Sequence, residues 1–156
     1  MKEIQRMKSQ PAKAKDKDKS KDKTKLKAKD KARGIKPAIV IDVSLSYVGT
    51  GGNAGDGAYH FHCKPYAVHV TENDTVLQYE MVGDMAVEYQ FAGFYSTDSL
   101  ENPQLSAPSY KAKGRVLQVT HANRTSALID IVLRVQDTKR MVAISCDPQA
   151  TNDPGT

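Results

Sequence analysis

The chain has 156 residues, and its net charge of +5 conceals two opposed parts. Residues 1–36 hold fifteen Lys or Arg and five Asp or Glu, a net +10; residues 37–156 hold eight and thirteen, a net −5. The length leaves room for one domain, and no stretch approaches the ~20 apolar residues of a membrane helix, so no membrane association is expected.

From Lys13 to Lys31, Lys alternates with Ala, Asp, Ser and Thr, and Leu26 is the only larger apolar side chain. Such a composition buries too little apolar surface to offset the entropy of ordering the chain. Residues 1–36 are therefore expected to form a disordered, solubilising tail. Binding of a polyanion is the sharper alternative for this segment, but Asp16, Asp18, Asp22 and Asp30 dilute its field and no aromatic side chain offers a stacking surface. Residues 1–10 lack the apolar core of a secretory signal. Two cysteines, Cys63 and Cys146, do not by number make a disulfide framework. A cytoplasmic protein with free thiols is expected.

The domain begins near Pro37. Residues 38–48 place Ile41, Val43, Leu45 and Tyr47 on one face and Asp42, Ser44 and Ser46 on the other, the period of a half-buried strand. A glycine-rich hairpin loop follows at 49–57. It lacks the Lys-Ser/Thr of a phosphate-binding loop, and no helix follows it. Further strands are expected at 58–63, 66–70, 75–82, 86–94, 115–121, 126–135 and 141–146, with a loop across 96–109, where Pro103 and Pro108 fall. Helix is expected for no more than a turn or two. Short strands punctuated by turn residues predict an all-β domain over 37–156, an antiparallel β-sandwich.

Two constellations invite a chemical reading. His60 and His62 share a strand face, and with His69 beyond they could begin a metal site, while Cys63 points the other way. Four placed ligands are not in evidence, so surface histidines are the expectation and no metal or cofactor is assigned. Asp74, in the turn before a strand, begins an Asp-Thr pair similar to that of aspartic proteases, although Val76 replaces their glycine.

The other constellation is Ser145-Cys146-Asp147-Pro148-Gln149, followed by Asn152-Asp153-Pro154. An Asp-Pro linkage is labile because the Asp carboxyl can attack its own backbone carbonyl through a five-membered ring. The leaving nitrogen, a tertiary amide, is also more basic than usual. An enforced intramolecular attack can reach an effective molarity of roughly 10⁵ M. The plainer reading is that Pro148 ends the last strand and Asp147 forms a turn.

Residues 145–154, together with Val70-Thr71-Glu72-Asn73-Asp74-Thr75-Val76-Leu77-Gln78-Tyr79, resemble the DP-EP family, a group of small bacterial proteins. The resemblance covers about residues 38–156. It implies a β-sandwich endopeptidase of aspartic type that cuts itself at a C-terminal Asp-Pro bond without a metal or cofactor. On that basis Asp147 and Pro148 flank the cut, and Ser145 alternates onto the same face as Asp147. Asp74 activates a water or shuttles a proton, and Tyr59 orients or protonates the site. The attacking group is either that water or the Asp147 carboxylate itself. Cys146 departs from the expected proline. The family's lysine near the cut has only Lys64, Lys111, Lys113 and Lys139 as candidates. If no lysine reaches the site, the reaction stops at hydrolysis. The substrate is then the chain itself, and the nine-residue piece 148–156 either stays bound or leaves a strand edge open for self-assembly. The alternative is a non-enzymatic β-sandwich interaction module with a cationic tail for acidic partners.

Overall fold

The computed structural model describes residues 36–84 and 86–152. The expectations for the lysine-rich segment up to residue 35, and for Asp153–Pro154, lie outside the described residues. The domain is all-β. Its strands are β1 (Ala38–Tyr47), β2 (Tyr59–Lys64), β3 (Ala67–Val70), β4 (Thr75–Met81), β5 (Tyr89–Ser96), β6 (Ser109–Lys111), β7 (Val116–His121), β8 (Ala127–Asp137), β9 (Val142–Cys146) and β10 (Gln149–Asn152). Helix among the described residues is limited to 3-10 turns at Ala86–Glu88 and Ala112–Gly114.

The strands form two sheets. One has the order β2-β1-β4-β7-β6; the other has the order β3-β10-β8-β5, with β9 also pairing to β8. Their inward faces pack into one core, as the period-two patterns demand. Ile41, Val43, Leu45, Leu77, Tyr79, Leu117 and Val119 come from the first sheet, and Tyr89, Phe91, Ile129, Ile131, Leu133, Val135 and Ile144 from the second. Tyr47 was expected among them but lies at the end of the sheet, 47% exposed. Val87, within the span 86–94 expected as a strand, sits instead in the 3-10 turn before β5 and is exposed.

The sequence predicted antiparallel sheets, and most strand pairs are antiparallel, but two are not. β1–β4 and β3–β10 are parallel pairs. Between β1 and β4 the chain makes the β1–β2 hairpin and then crosses to the second sheet as β3, so β4 returns alongside β1 in the same direction. A second difference concerns the C-terminus. Pro148 does not end the last strand, because β10 follows it and lies inside the second sheet.

His121 closes the inward row of β7 and is fully buried. Its Nδ1 accepts the Asn123 backbone N–H at 3.0 Å, which leaves the ring proton on Nε2 and the ring neutral. Burial holds its pKa below the ordinary histidine value, against a smaller opposing pull from Asp98. The unfolded chain therefore binds a proton near pH 6.5 that the folded chain still refuses. The stabilisation is complete above pH ~6.5 and is lost as pH falls toward the lowered folded value. Urea midpoints are expected to fall between pH 7.5 and 5.5, and His121→Phe is expected to flatten that slope.

Candidate functional site: a cleft at the Asp147–Pro148 bond

β9 and β10 are two halves of one strand. Cys146 faces Leu133 and Gln149 faces Asp130 along β8, so the register runs through Asp147 and Pro148 without a slip. Pro148 takes the position opposite Ile131, whose N–H donates to the Pro148 carbonyl at 3.3 Å. In a hydrogen-bonded antiparallel pair the reciprocal bond would come from the N–H of residue 148. Proline has none, so the ladder breaks at this one bond. Alternation carries through the break: Ile144, Cys146 and Pro148 are buried, whereas Ser145 and Asp147 are exposed. Ser145 and Asp147 therefore share the outer face, as expected.

On its other side β9 has no strand partner among the described residues. Here it faces β2, the edge strand of the first sheet, across an open cleft. Asn53, Phe61, His62, Tyr66, Ser145 and Asp147 line this cleft. A continuation of the hollow runs from Ser145 past Ala143 along loop 52–57.

The glycine-rich loop builds one wall. It folds back on the start of β2, with the Asn53 and Ala54 N–H groups both donating to the Tyr59 carbonyl, at 2.9 and 3.1 Å. A Cβ on Gly52 would lie 2.1 Å from that same oxygen, so only glycine allows the approach. The Asn53 carboxamide then bonds β2 as a neighbouring strand would. Its Nδ2 donates to the Phe61 carbonyl at 2.9 Å, and its Oδ1 accepts the Phe61 N–H at 2.7 Å. The edge of β2 is thereby blunted toward the cleft.

Tyr66 is the residue the sequence reading missed. It follows the cis Lys64–Pro65 peptide in the link from β2 to β3. Its hydroxyl donates to the Asp147 carbonyl oxygen at 3.2 Å, the only side-chain donor recorded on that oxygen among the described residues. The carbonyl of the Asp-Pro bond thus carries a phenolic donor on its free side. The contact spans 81 positions, and the one sequence cue is an aromatic residue directly after a proline in a short link.

Tyr59 is placed elsewhere. Its hydroxyl donates to Asp137 Oδ2 at 3.0 Å in the interior. Asp137 is the inward residue that ends β8, with a fully buried side chain. Its Oδ1 accepts the backbone N–H groups of Lys139 and Arg140, each at 2.9 Å, and its Oδ2 also accepts Arg140 Nη1 at 3.0 Å. The Arg140 guanidinium lies 3.9 Å above the Tyr47 ring, which meets Tyr59 edge-on at 5.3 Å. Burial raises the Asp137 pKa, but the Arg140 N–H and guanidinium, the Tyr59 hydroxyl and the Lys139 N–H together outweigh it, and the carboxyl is held below its ordinary value. Burial, followed by the bond to Asp137, pushes Tyr59 up to about 12. Tyr59 thus belongs to the network that closes the β8–β9 hairpin.

Asp74 is also set apart from Asp147. It lies exposed at positive φ (57°) in the turn before β4. β3 and β10 run parallel with Val70 opposite Asn152, five residues beyond Asp147. At ~3.3 Å per residue, Asp147 lies about 16 Å along the strands from that level, and Asp74 lies beyond it. Among the described residues no lysine lines the cleft. Lys139 pairs with Glu88 at 3.1 Å, and Lys111 and Lys113 belong to the β6 edge, at the far side of the first sheet from β2. His60 and His62 lie exposed on β2 and His69 on β3, in the other sheet; among the described residues no group of three His, Cys, Asp or Glu is placed to hold a metal ion. Cys63 and Cys146 are unpaired and buried, and burial pushes both thiols up to about 12, so neither supplies a thiolate near neutral pH.

Fold and cleft together define a two-sheet all-β domain with a proline-interrupted strand at an open edge. No protein-family model and no curated protein matches the chain.

Proposed function

We propose that this domain cuts its own Asp147–Pro148 bond, as its resemblance to the self-cleaving Asp-Pro endopeptidases implies. The observation that carries the reading is the Tyr66 hydroxyl on the Asp147 carbonyl oxygen. A hydrogen bond from a fixed donor strengthens as that oxygen gains charge in a tetrahedral transition state. With Asp74 at the other end of β3, the attacking group is the Asp147 carboxylate. It closes a five-membered ring on its own carbonyl carbon while the pairing of Pro148 with Ile131 anchors the leaving side. The C–N bond breaks as the Pro148 nitrogen takes a proton from water in the open cleft. Water then opens the cyclic anhydride and restores the Asp147 side chain beside a new α-carboxylate. With no lysine amine lining the cleft among the described residues, the reaction ends as hydrolysis. A cytoplasmic setting belongs to the same proposal and accords with the two free thiols.

Intact mass of the purified full chain, followed during incubation across mild pH, tests the reading. The expected product pair is residues 1–147 and 148–156. A mass that never changes sinks the proposal and leaves the interaction-module alternative. Tyr66→Phe is expected to slow the cut about tenfold, less than for an enclosed oxyanion donor because the tyrosine is more than half exposed. An unaltered rate would remove Tyr66 from the mechanism.

A further inference from the structure

β9 meets the cleft with a bare edge. The Ile131–Pro148 bond fixes the phase of the β8–β9 ladder. Val142, Ile144 and Cys146 therefore exchange their N–H and C=O groups with β8, whereas Ala143, Ser145 and Asp147 turn theirs to the opposite side. The Tyr66 hydroxyl, which meets the Asp147 carbonyl from the cleft, agrees with this phase. The run Val142–Cys146 holds no charge and no proline, two devices that deter pairing at an edge. The edge of β2 across the cleft is treated differently. There the Asn53 carboxamide and the Asn53 and Ala54 N–H groups occupy the backbone of Phe61 and Tyr59.

We infer that the free edge of β9 is a docking site for an extended cationic peptide of a partner protein, which adds to it as a strand. Backbone groups turned outward at every second residue call for the same repeat in the occupant, and extended backbone supplies it. The stretch from Ala143 to Asp147 is about 13 Å long at ~3.3 Å per residue, enough for about five residues of peptide. The hollow over Ala143 and Ser145 measures about 540 Å³ and that over Ser145 and Asp147 about 360 Å³, each in the range of ligand-binding clefts. Loop 52–57 and β2 close the far side. A single strand fits there, whereas an edge strand of a second copy, with its own sheet behind it, meets this wall.

Side chains of the added strand alternate. Those that point inward meet Ala54, Phe61 and Cys146, which suits small apolar residues. Those that point outward run past Ser145 and Asp147, with Asp56 at the far end of the hollow. Both carboxylates are exposed, and among the described residues no Lys or Arg lines either hollow, so Lys or Arg is the complementary choice. Arg134, opposite Ser145 on β8, carries its stem toward Gly93 on β5, away from the cleft. β9 and Asp147 precede the Asp-Pro bond, so the surface is common to cut and uncut chains and does not rest on self-cleavage.

A fluorescent Lys-Val-Lys-Val-Lys-Val peptide, titrated into the full chain, is the probe. Saturable binding that weakens as salt rises is expected, and the corresponding Glu-Val peptide is expected to bind at least about tenfold more weakly. A Lys-Val peptide methylated at every backbone nitrogen keeps its charge and lacks every donor. It too is expected to lose at least about tenfold. Ala143→Pro removes one cleft-side donor and no bond to β8, and is expected to weaken the probe about tenfold. Hydrogen exchange on the parent chain needs no variant to fold. Before addition, the Ile144 and Cys146 amides are expected to exchange slowly and those of Ala143 and Ser145 fast; the peptide is expected to slow the second pair. Absence of binding, equal binding of the Lys-Val and Glu-Val peptides, equal binding of the methylated peptide, or unchanged exchange at Ala143 and Ser145 would each overturn the inference. Slow exchange of those two amides before any peptide is added would mean an edge already covered, by this chain or a second copy, and would overturn it too.

Discussion

The Asp147→Ala chain is expected to keep its full mass of 17.1 kDa under conditions in which the parent loses its last nine residues. The substitution removes the nucleophile and leaves the bond, Pro148 and the Tyr66 donor in place. Because an enforced five-membered ring closure draws on an effective molarity of roughly 10⁵ M or more, the rate is expected to drop by about 10³ or more. Asp147 is exposed at the cleft, so its loss is expected to leave the unfolding midpoint within ~0.5 kcal/mol of the parent. This separates a chemical defect from a folding defect. Asp74→Ala supplies the contrast. If a water held by Asp74 were the attacking group, that variant would stop the cut; from the opposite end of β3, Asp74 is expected to leave the rate unchanged. Intact mass against time for the three proteins decides between the two routes.

The largest effect on stability is expected at Asp137, where alanine should cost about 3 kcal/mol or more in denaturant unfolding. The carboxylate is fully buried and accepts from Lys139 N–H, Arg140 N–H, Arg140 Nη1 and Tyr59 Oη. Alanine removes the acceptor and leaves the Tyr59 hydroxyl unsatisfied in the interior. Its pKa is lowered in the fold, so its contribution is fully present above the ordinary carboxylate value near 3.9 and is lost as pH falls below it toward the folded value. That acid limb lies below the one expected from His121, and the two are separable by measuring Asp137→Asn and His121→Phe across both ranges. Tyr59→Phe, which deletes one bond of the same network, is expected to cost about 1–2 kcal/mol and to leave the cleavage rate unchanged. A slowed cut in a fully folded Tyr59→Phe chain would return this tyrosine to the site.

The long strands were legible in the sequence because period-two alternation is a local property. Ile41, Val43 and Leu45 in β1, and Ile129 through Val135 in β8, point inward as their spacing demands. The same row ends on Asp137, two residues past Val135, so a charged residue at an inward position was visible as well. Its partners were not, because Tyr59 lies 78 positions away. β6 and β10 escaped notice because three or four residues, SYK and QATN, carry too little apolar patterning to announce a strand. Each is a strand because of its neighbours.

By itself the sequence determined an all-β domain and an Asp-Pro bond whose lability lies in its own atoms. It also determined the shared face of Ser145 and Asp147, which alternation alone dictates. Only the tertiary structure decided which strands pair in parallel, that Pro148 interrupts an inner strand, and that Tyr66, not Tyr59, meets the Asp147 carbonyl. The physical reason is range. Alternation is set by adjacent residues, whereas the neighbours of one carbonyl oxygen are set by how two sheet edges, far apart along the chain, come to face each other.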